Sequence, residues 1–288
     1  MDRKKYFFPR FLFTLAFVIS LKSQAFTFNN NGAASFKEDE ILINVNDIDC
    51  LSAPGNSCLS NFTTPQELLD LTEEAINRFW NRIPTTRLTL SRGSLVSSGS
   101  SFMTGSMCNE PFNSPTCTPN SALKVPNNIL ISCNCSDGNF GVSNQKILGV
   151  TIPNNFEGNQ LKGSLILLNA KHSGFFDLTK DEKINVIGHE IGHALGLGHS
   201  PVEDSLMYYL NIGKRDRLGW DDLDGISYLY PASQPLSLAC GTVSQVSSPR
   251  TPSEKKNFLW ALFLGFFSII ILSRTTNFFS LRHLQKAP

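Results

Sequence analysis

The chain of 288 residues is poor in charge, at 17%, and has no surplus of either sign, with 25 Lys and Arg against 24 Asp and Glu. Without a polyelectrolyte surface, nucleic acid is not expected as the main partner. Long hydrophobic runs are missing as well. The two apolar stretches, residues 11–21 and 258–272, are both shorter than the ~20 residues of a relaxed membrane-spanning helix. There is no internal repeat and no CxxC pair, which excludes a solenoid array and a common type of structural zinc site. Histidine is scarce, with five in the whole chain.

The low charge has a local origin. An apolar segment lies near each end, and the middle is rich in uncharged Ser and Asn. Residues 1–25 combine basic Arg3, Lys4, Lys5 and Arg10 with the apolar run, and small Ser23 and Ala25 place cleavage before Phe26. This is the pattern of an export signal, with an uncleaved N-terminal anchor as the alternative. Residues 26–40 read as a short N-terminal segment, 41–232 as the folded domain and 233–256 as a Ser/Pro-rich linker. Residues 257–273 read as a hydrophobic anchor or sorting helix, followed by a basic tail over 274–288. Lys256 and Arg274 could snorkel to close the mismatch between a short helix and the bilayer. The expected arrangement is an exported or cell-surface domain, with membrane contact through the C-terminal helix.

All seven cysteines lie between the apolar ends, in the exported part, where disulfides are permitted. The spacing predicts local pairs Cys50 with Cys58 and Cys108 with Cys117. Cys133 and Cys135 would face the same side of a strand, so their direct pairing would be strained. Cys240 is a candidate partner for one of them, and the odd total leaves one thiol unpaired or intermolecular.

Periodicity predicts a strand over residues 41–46 and a resumed alternation over 87–90. An amphipathic helix is expected over 65–81, capped by Thr64, Pro65 and Glu67. Residues 91–128 read as a long loop region, with strands following at 128–132, 146–152 and 164–168. That order implies an α/β (α+β) fold with one mixed sheet and few helices.

The chemistry is concentrated in one string, His189-Glu190-Ile191-Gly192-His193-Ala194-Leu195-Gly196-Leu197-Gly198-His199. Thr179 and Glu182 form a capping box ahead of an apolar face, so residues 180–195 should be one helix. Positions four apart are neighbours on a helix, which brings His189 and His193 over one ion. Glu190 lies beside them, placed to take a proton from water and not to bind metal. His199 can join only if the chain turns back, and Gly196 permits the turn because glycine accepts positive φ. Three neutral histidines and no fourth protein ligand describe one catalytic Zn2+ ion. An accidental HExxH on an ordinary helix is the competing reading, and Gly196 and His199 weigh against it.

The extended string resembles that of the metzincin zinc metalloproteases. Ser205-Leu206-Met207-Tyr208 is similar to their Met-turn, and Ser200 after the third histidine points to matrixins. The stretch from Asp221 to Tyr230 resembles the final matrixin helix, which packs under the active site. The resemblance covers about residues 36–232. It implies a twisted mixed sheet with a backing helix, an active-site helix and a C-terminal helix. It also implies Met207 as a packing base beneath the histidines and Tyr208 as a supporting residue, with Tyr208 or Tyr209 a candidate donor to the tetrahedral intermediate. Calcium is compatible with the resemblance but has no ligand pattern here.

Three departures stand out. No PRCGxPD segment precedes the domain, Tyr209 follows Tyr208 where Pro is usual, and the histidine-bearing structural-zinc loop has no clear counterpart. His172 is its one candidate remnant, read as a solvent-exposed histidine. Secreted bacterial members would tolerate all three departures. The implied activity is zinc-dependent endopeptidase action on extracellular or cell-surface proteins, through zinc-bound water activated by Glu190. Two other classes compete: a non-catalytic surface module that keeps the zinc fold, and a zinc hydrolase of non-peptide substrates. The sequence sets no oligomeric state.

Overall fold

Alternation of side chains across a strand decides how this sheet is packed. In the computed structural model, which describes residues 26–29, 32–49, 58–59, 63–142, 146–175, 177–210 and 215–232, the strands are β1 (Ser35–Phe36), β2 (Glu40–Asn46), β3 (Thr89–Val96), β4 (Asn128–Asn134), β5 (Gly149–Glu157) and β6 (Gln160–Asn169). They pair in the order β3-β2-β4-β6-β5, with β1 also on β6. Every pair is parallel except β5 with β6. The sheet is therefore mixed, as expected.

Two helices supply the layer on one face: α1 (Pro65–Ala75), prolonged by a π-helical turn over Ile76–Trp80, and α4 (Lys180–Ala194). Thr64 caps α1 by accepting from the Glu67 N–H at 3.2 Å. Thr179 and Glu182 form the predicted capping box on α4. Ile41, Ile43, Val45, Ile129, Ile131, Ile166 and Leu168 point into a core shared with Leu68, Phe79, Trp80, Ile184, Ile187 and Ile191.

The intervening positions Leu130, Leu165 and Leu167 face the other way, into a second core with Phe102, Met107, Leu123, Val125 and Phe140. With both faces covered, β4 and β6 each hold an unbroken apolar stretch, Ile129–Ile131 and Leu165–Leu168. Residues 97–127 are thus a folded cap on the second face, containing α2 (Ser101–Thr104) and a 3-10 turn over Ser121–Leu123. This corrects the expectation of a loop over 91–128. Its first residues extend β3 to Val96, and much of the rest is held by buried apolar groups. The short α3 (Asp137–Phe140) follows β4, and α5 (Trp220–Leu229) closes the described chain.

Two disulfides are described. Cys108 pairs with Cys117, as expected. Cys58 pairs with Cys135 across a separation of 77 residues, so the expected pair Cys50 with Cys58 does not form. Cys135 is buried, and its N–H donates to the Met103 carbonyl at 2.8 Å. Cys133 is disulfide-bonded as well. Cys50 and Cys240 lie outside the described residues, as do the expected export signal, linker and C-terminal helix. Among the described residues, no helix is long and apolar enough to cross a membrane.

Candidate metal centre and active site

The C-terminal end of α4 determines where the third histidine goes. A helix leaves its last carbonyls unpaired, and here each finds a donor. Gly196, at φ +109°, donates to the His193 carbonyl at 3.0 Å, and Leu197 donates to the Gly192 carbonyl at 3.0 Å. That is the Schellman closure, with glycine in the left-handed position. Ser164 Oγ donates to the Ala194 carbonyl at 2.8 Å, and the Tyr230 hydroxyl to that of Leu195 at 2.8 Å. The chain is thereby turned back over the helix, carrying His199 with it.

A second support comes from the N-terminal segment, which sequence reasoning treated as a separate piece. Phe28 forms an antiparallel bridge with Leu197. Gly198 donates to the Thr27 carbonyl at 2.7 Å, and Thr27 Oγ1 donates to the His199 carbonyl at 2.6 Å. Asn29 Nδ2 reaches the His193 carbonyl at 3.1 Å. Residues 27–29 therefore fasten the loop that bears the third histidine.

These constraints converge three imidazoles. The potential ligand atoms of His189, His193 and His199 all lie within 4.8 Å of one another, and among the described residues this is the one such cluster. His189 Nδ1 donates to the Leu206 carbonyl at 2.7 Å and His193 Nδ1 to the Leu197 carbonyl at 2.8 Å. A carbonyl can only accept, so both rings carry the proton on Nδ1 and present a lone pair on Nε2. His193 Nε2 lies 3.2 Å from His199 Nε2. Nitrogen ligands at ~2.0–2.1 Å from a tetrahedral ion are about 3.3–3.4 Å apart, so the spacing of this pair fits zinc. Burial lowers the pKa of all three histidines, which favours the neutral form a metal requires.

Glu190 is buried beside them, its side chain against the backbone of Gly149. Burial pushes its carboxyl up to about 7, opposed by a hydrogen bond that Thr151 Oγ1 donates to Oε2 at 2.5 Å. The groove over these groups, about 620 Å³, is lined by Thr27, Gly149, Thr151, His189, Glu190 and His199, among others.

Met207 is buried below α4. A side chain added at Gly192 would meet its Sδ at 2.3 Å and Trp80 at 3.0 Å, so glycine lets methionine approach the histidine-bearing turn. Tyr208 is half-buried against Tyr209, with ring centroids 4.9 Å apart, and does not line the groove. Sequence reasoning assigned no role to Asp222. Its carboxylate accepts from the N–H groups of Leu206 (2.6 Å), Met207 (3.1 Å) and Gly219 (2.8 Å), and from Ser205 Oγ. Asp222 thus caps α5 and holds the turn whose Leu206 carbonyl orients His189. The capping position of an acidic residue was visible in sequence, but its second partner was not. His172 is half-buried, its Nε2 at 3.2 Å from the Gly141 carbonyl, which corrects its reading as solvent-exposed.

A helix-borne histidine pair joined by a third histidine over a methionine turn defines the metzincin class of zinc metalloproteases. Within that class the chain belongs to the Matrixin family, whose model matches residues 23–231. It is similar to Metalloendoproteinase 2-MMP of Arabidopsis thaliana, 45% identical over 76 residues, covering 26% of this chain and 19% of that protein. It is also similar to stromelysin-1 of Mus musculus, 34% identical over 116 residues, 38% of this chain and 23% of the relative. Interstitial collagenase of Sus scrofa is 42% identical over 69 residues, 23% and 13% of the two chains. The chain thus spans less than a quarter of each of these relatives. They come from a plant and two mammals and lend no support to a bacterial origin.

Proposed function

We propose that this chain is a zinc-dependent endopeptidase that hydrolyses peptide bonds of extracellular or cell-surface proteins. The reading rests on one observation above others: a buried carboxylic acid adjoins three clustered imidazoles, two of which, His189 and His193, present an Nε2 lone pair to the cluster. His189, His193 and His199 would hold the ion. When bound, zinc supplies Lewis-acid polarisation of a carbonyl and makes water acidic near neutrality. Glu190 accepts the proton of the attacking water and returns it to the leaving amine, a task suited to a pKa near the working pH. Strand β5 pairs only with β6 among the described residues, which leaves an edge beside the groove where an extended peptide could add as a further strand.

Export by residues 1–25 and membrane attachment or sorting by residues 257–273 belong to the same proposal. Purified full-length protein should cleave a quenched fluorescent peptide, lose that activity to a chelator and regain it with zinc. Activity that survives complete zinc removal would refute the reading.

A further inference from the structure

Gly149 and Thr151 lie two apart on β5, so they share a face, and both contact Glu190. The strand itself needs no hydroxyl, because its ladder is made by the main chain. The Thr151 hydroxyl is instead spent on Glu190, 2.5 Å from Oε2 and 3.4 Å from the Glu190 carbonyl. Glu190 Oε1 has no hydrogen-bond partner among the described residues. Glutamate has three rotatable side-chain bonds, and a base that must meet water at a defined place loses rate if its carboxylate wanders.

The geometry points to Thr151 as the positioning residue of Glu190: its hydroxyl captures Oε2 and leaves Oε1 as the oxygen that takes and returns the proton. As a donor to Oε2, the hydroxyl can keep its bond whether or not Oε1 is protonated, so the two oxygens keep their roles through the cycle. This assignment rests on the endopeptidase reading for its chemistry, but on the Thr151–Glu190 contact for its geometry.

The test compares full-length Thr151→Val, which keeps the β-branched shape and deletes the hydroxyl, with Thr151→Ser, which keeps the hydroxyl. Thr151→Val should lower kcat by on the order of 10- to 100-fold with KM within about twofold. Its zinc content and thermal midpoint should match those of the unmodified chain. Thr151→Ser should recover most of kcat. Crystal structures of the zinc-loaded proteins should show the Glu190 carboxylate displaced or split in Thr151→Val and single in Thr151→Ser.

An unmoved Glu190 with unchanged kcat in Thr151→Val would overturn the assignment. So would equal losses in both variants accompanied by lost zinc or a lowered midpoint, which would mark a tether between β5 and α4. If the unmodified zinc-loaded chain cleaves no peptide, the endopeptidase reading fails. The Glu190 positions in the two variant structures then still decide for or against Thr151.

Discussion

Glu190 and Asp222 show how differently two buried carboxylates serve one site. Glu190 has a single described side-chain donor, Thr151, and its burial raises its pKa, which suits the proton-exchanging role proposed for it. Glu190→Gln keeps the size and removes the base. It should bind zinc as before and lose roughly 10²- to 10⁴-fold in kcat, measured by peptide cleavage alongside zinc content. Asp222 is saturated with donors, three backbone N–H groups and the Ser205 hydroxyl. Asp222→Ala would strand those N–H groups in a buried place. A loss of at least about 3 kcal/mol in urea unfolding is expected, together with weaker zinc retention through the Leu206 carbonyl and His189.

At the level of elements, the return of the chain after α4 is the decisive event. Gly196 has φ +109°, and a Cβ there would approach the Ala34 carbonyl oxygen to 2.7 Å. Gly196→Ala meets both objections, backbone strain and collision. It should destabilise the fold by more than about 1 kcal/mol in thermal or urea melts. It should also weaken zinc binding, read by competition with a chelating dye, because His199 sits three residues beyond the turn. Unchanged affinity in this variant would show that the contacts of residues 27–29 alone position His199. The π-helical turn over Ile76–Trp80 has a related place. It seats Phe79 against Gly188 and Trp80 against Gly192, and the Trp80 indole donates to the Gly188 carbonyl at 3.1 Å.

For the whole molecule, the disulfides act as long-range ties, and a metal held as proposed would add another. Three converging histidines in the folded chain have no counterpart in the unfolded one, so zinc should stabilise folding by about 4 kcal/mol at a thousandfold excess over Kd. A chelator should therefore lower the thermal midpoint reversibly. The Cys58–Cys135 bond closes a loop of 77 residues and Cys108–Cys117 one of 9. Taken each as the sole cross-link, chain entropy assigns them ~4.5 and ~2.6 kcal/mol respectively, so in a chain that also lacks the Cys133 bond, removing the first by paired Cys→Ser changes should cost more in urea unfolding. The reverse ranking would contradict the loop-entropy account.

Much of this protein was legible in its sequence, for a physical reason. The histidine pair, the adjacent glutamate and the turning glycine obey the 3.6-residue period and the steric rules of one chain segment. Helix α4, its capping box and the residues of the histidine cluster could therefore be read locally, and so could the alternation of the strands. Tertiary structure alone decided what lay far apart in sequence. Thr151 meets Glu190 across 39 residues, Asn29 meets His193 across 164, and Cys58 meets Cys135 across 77. Those contacts arise where the sheet, its edge strand and the helix behind it come together, and no periodicity within a segment encodes which side chains then face one another.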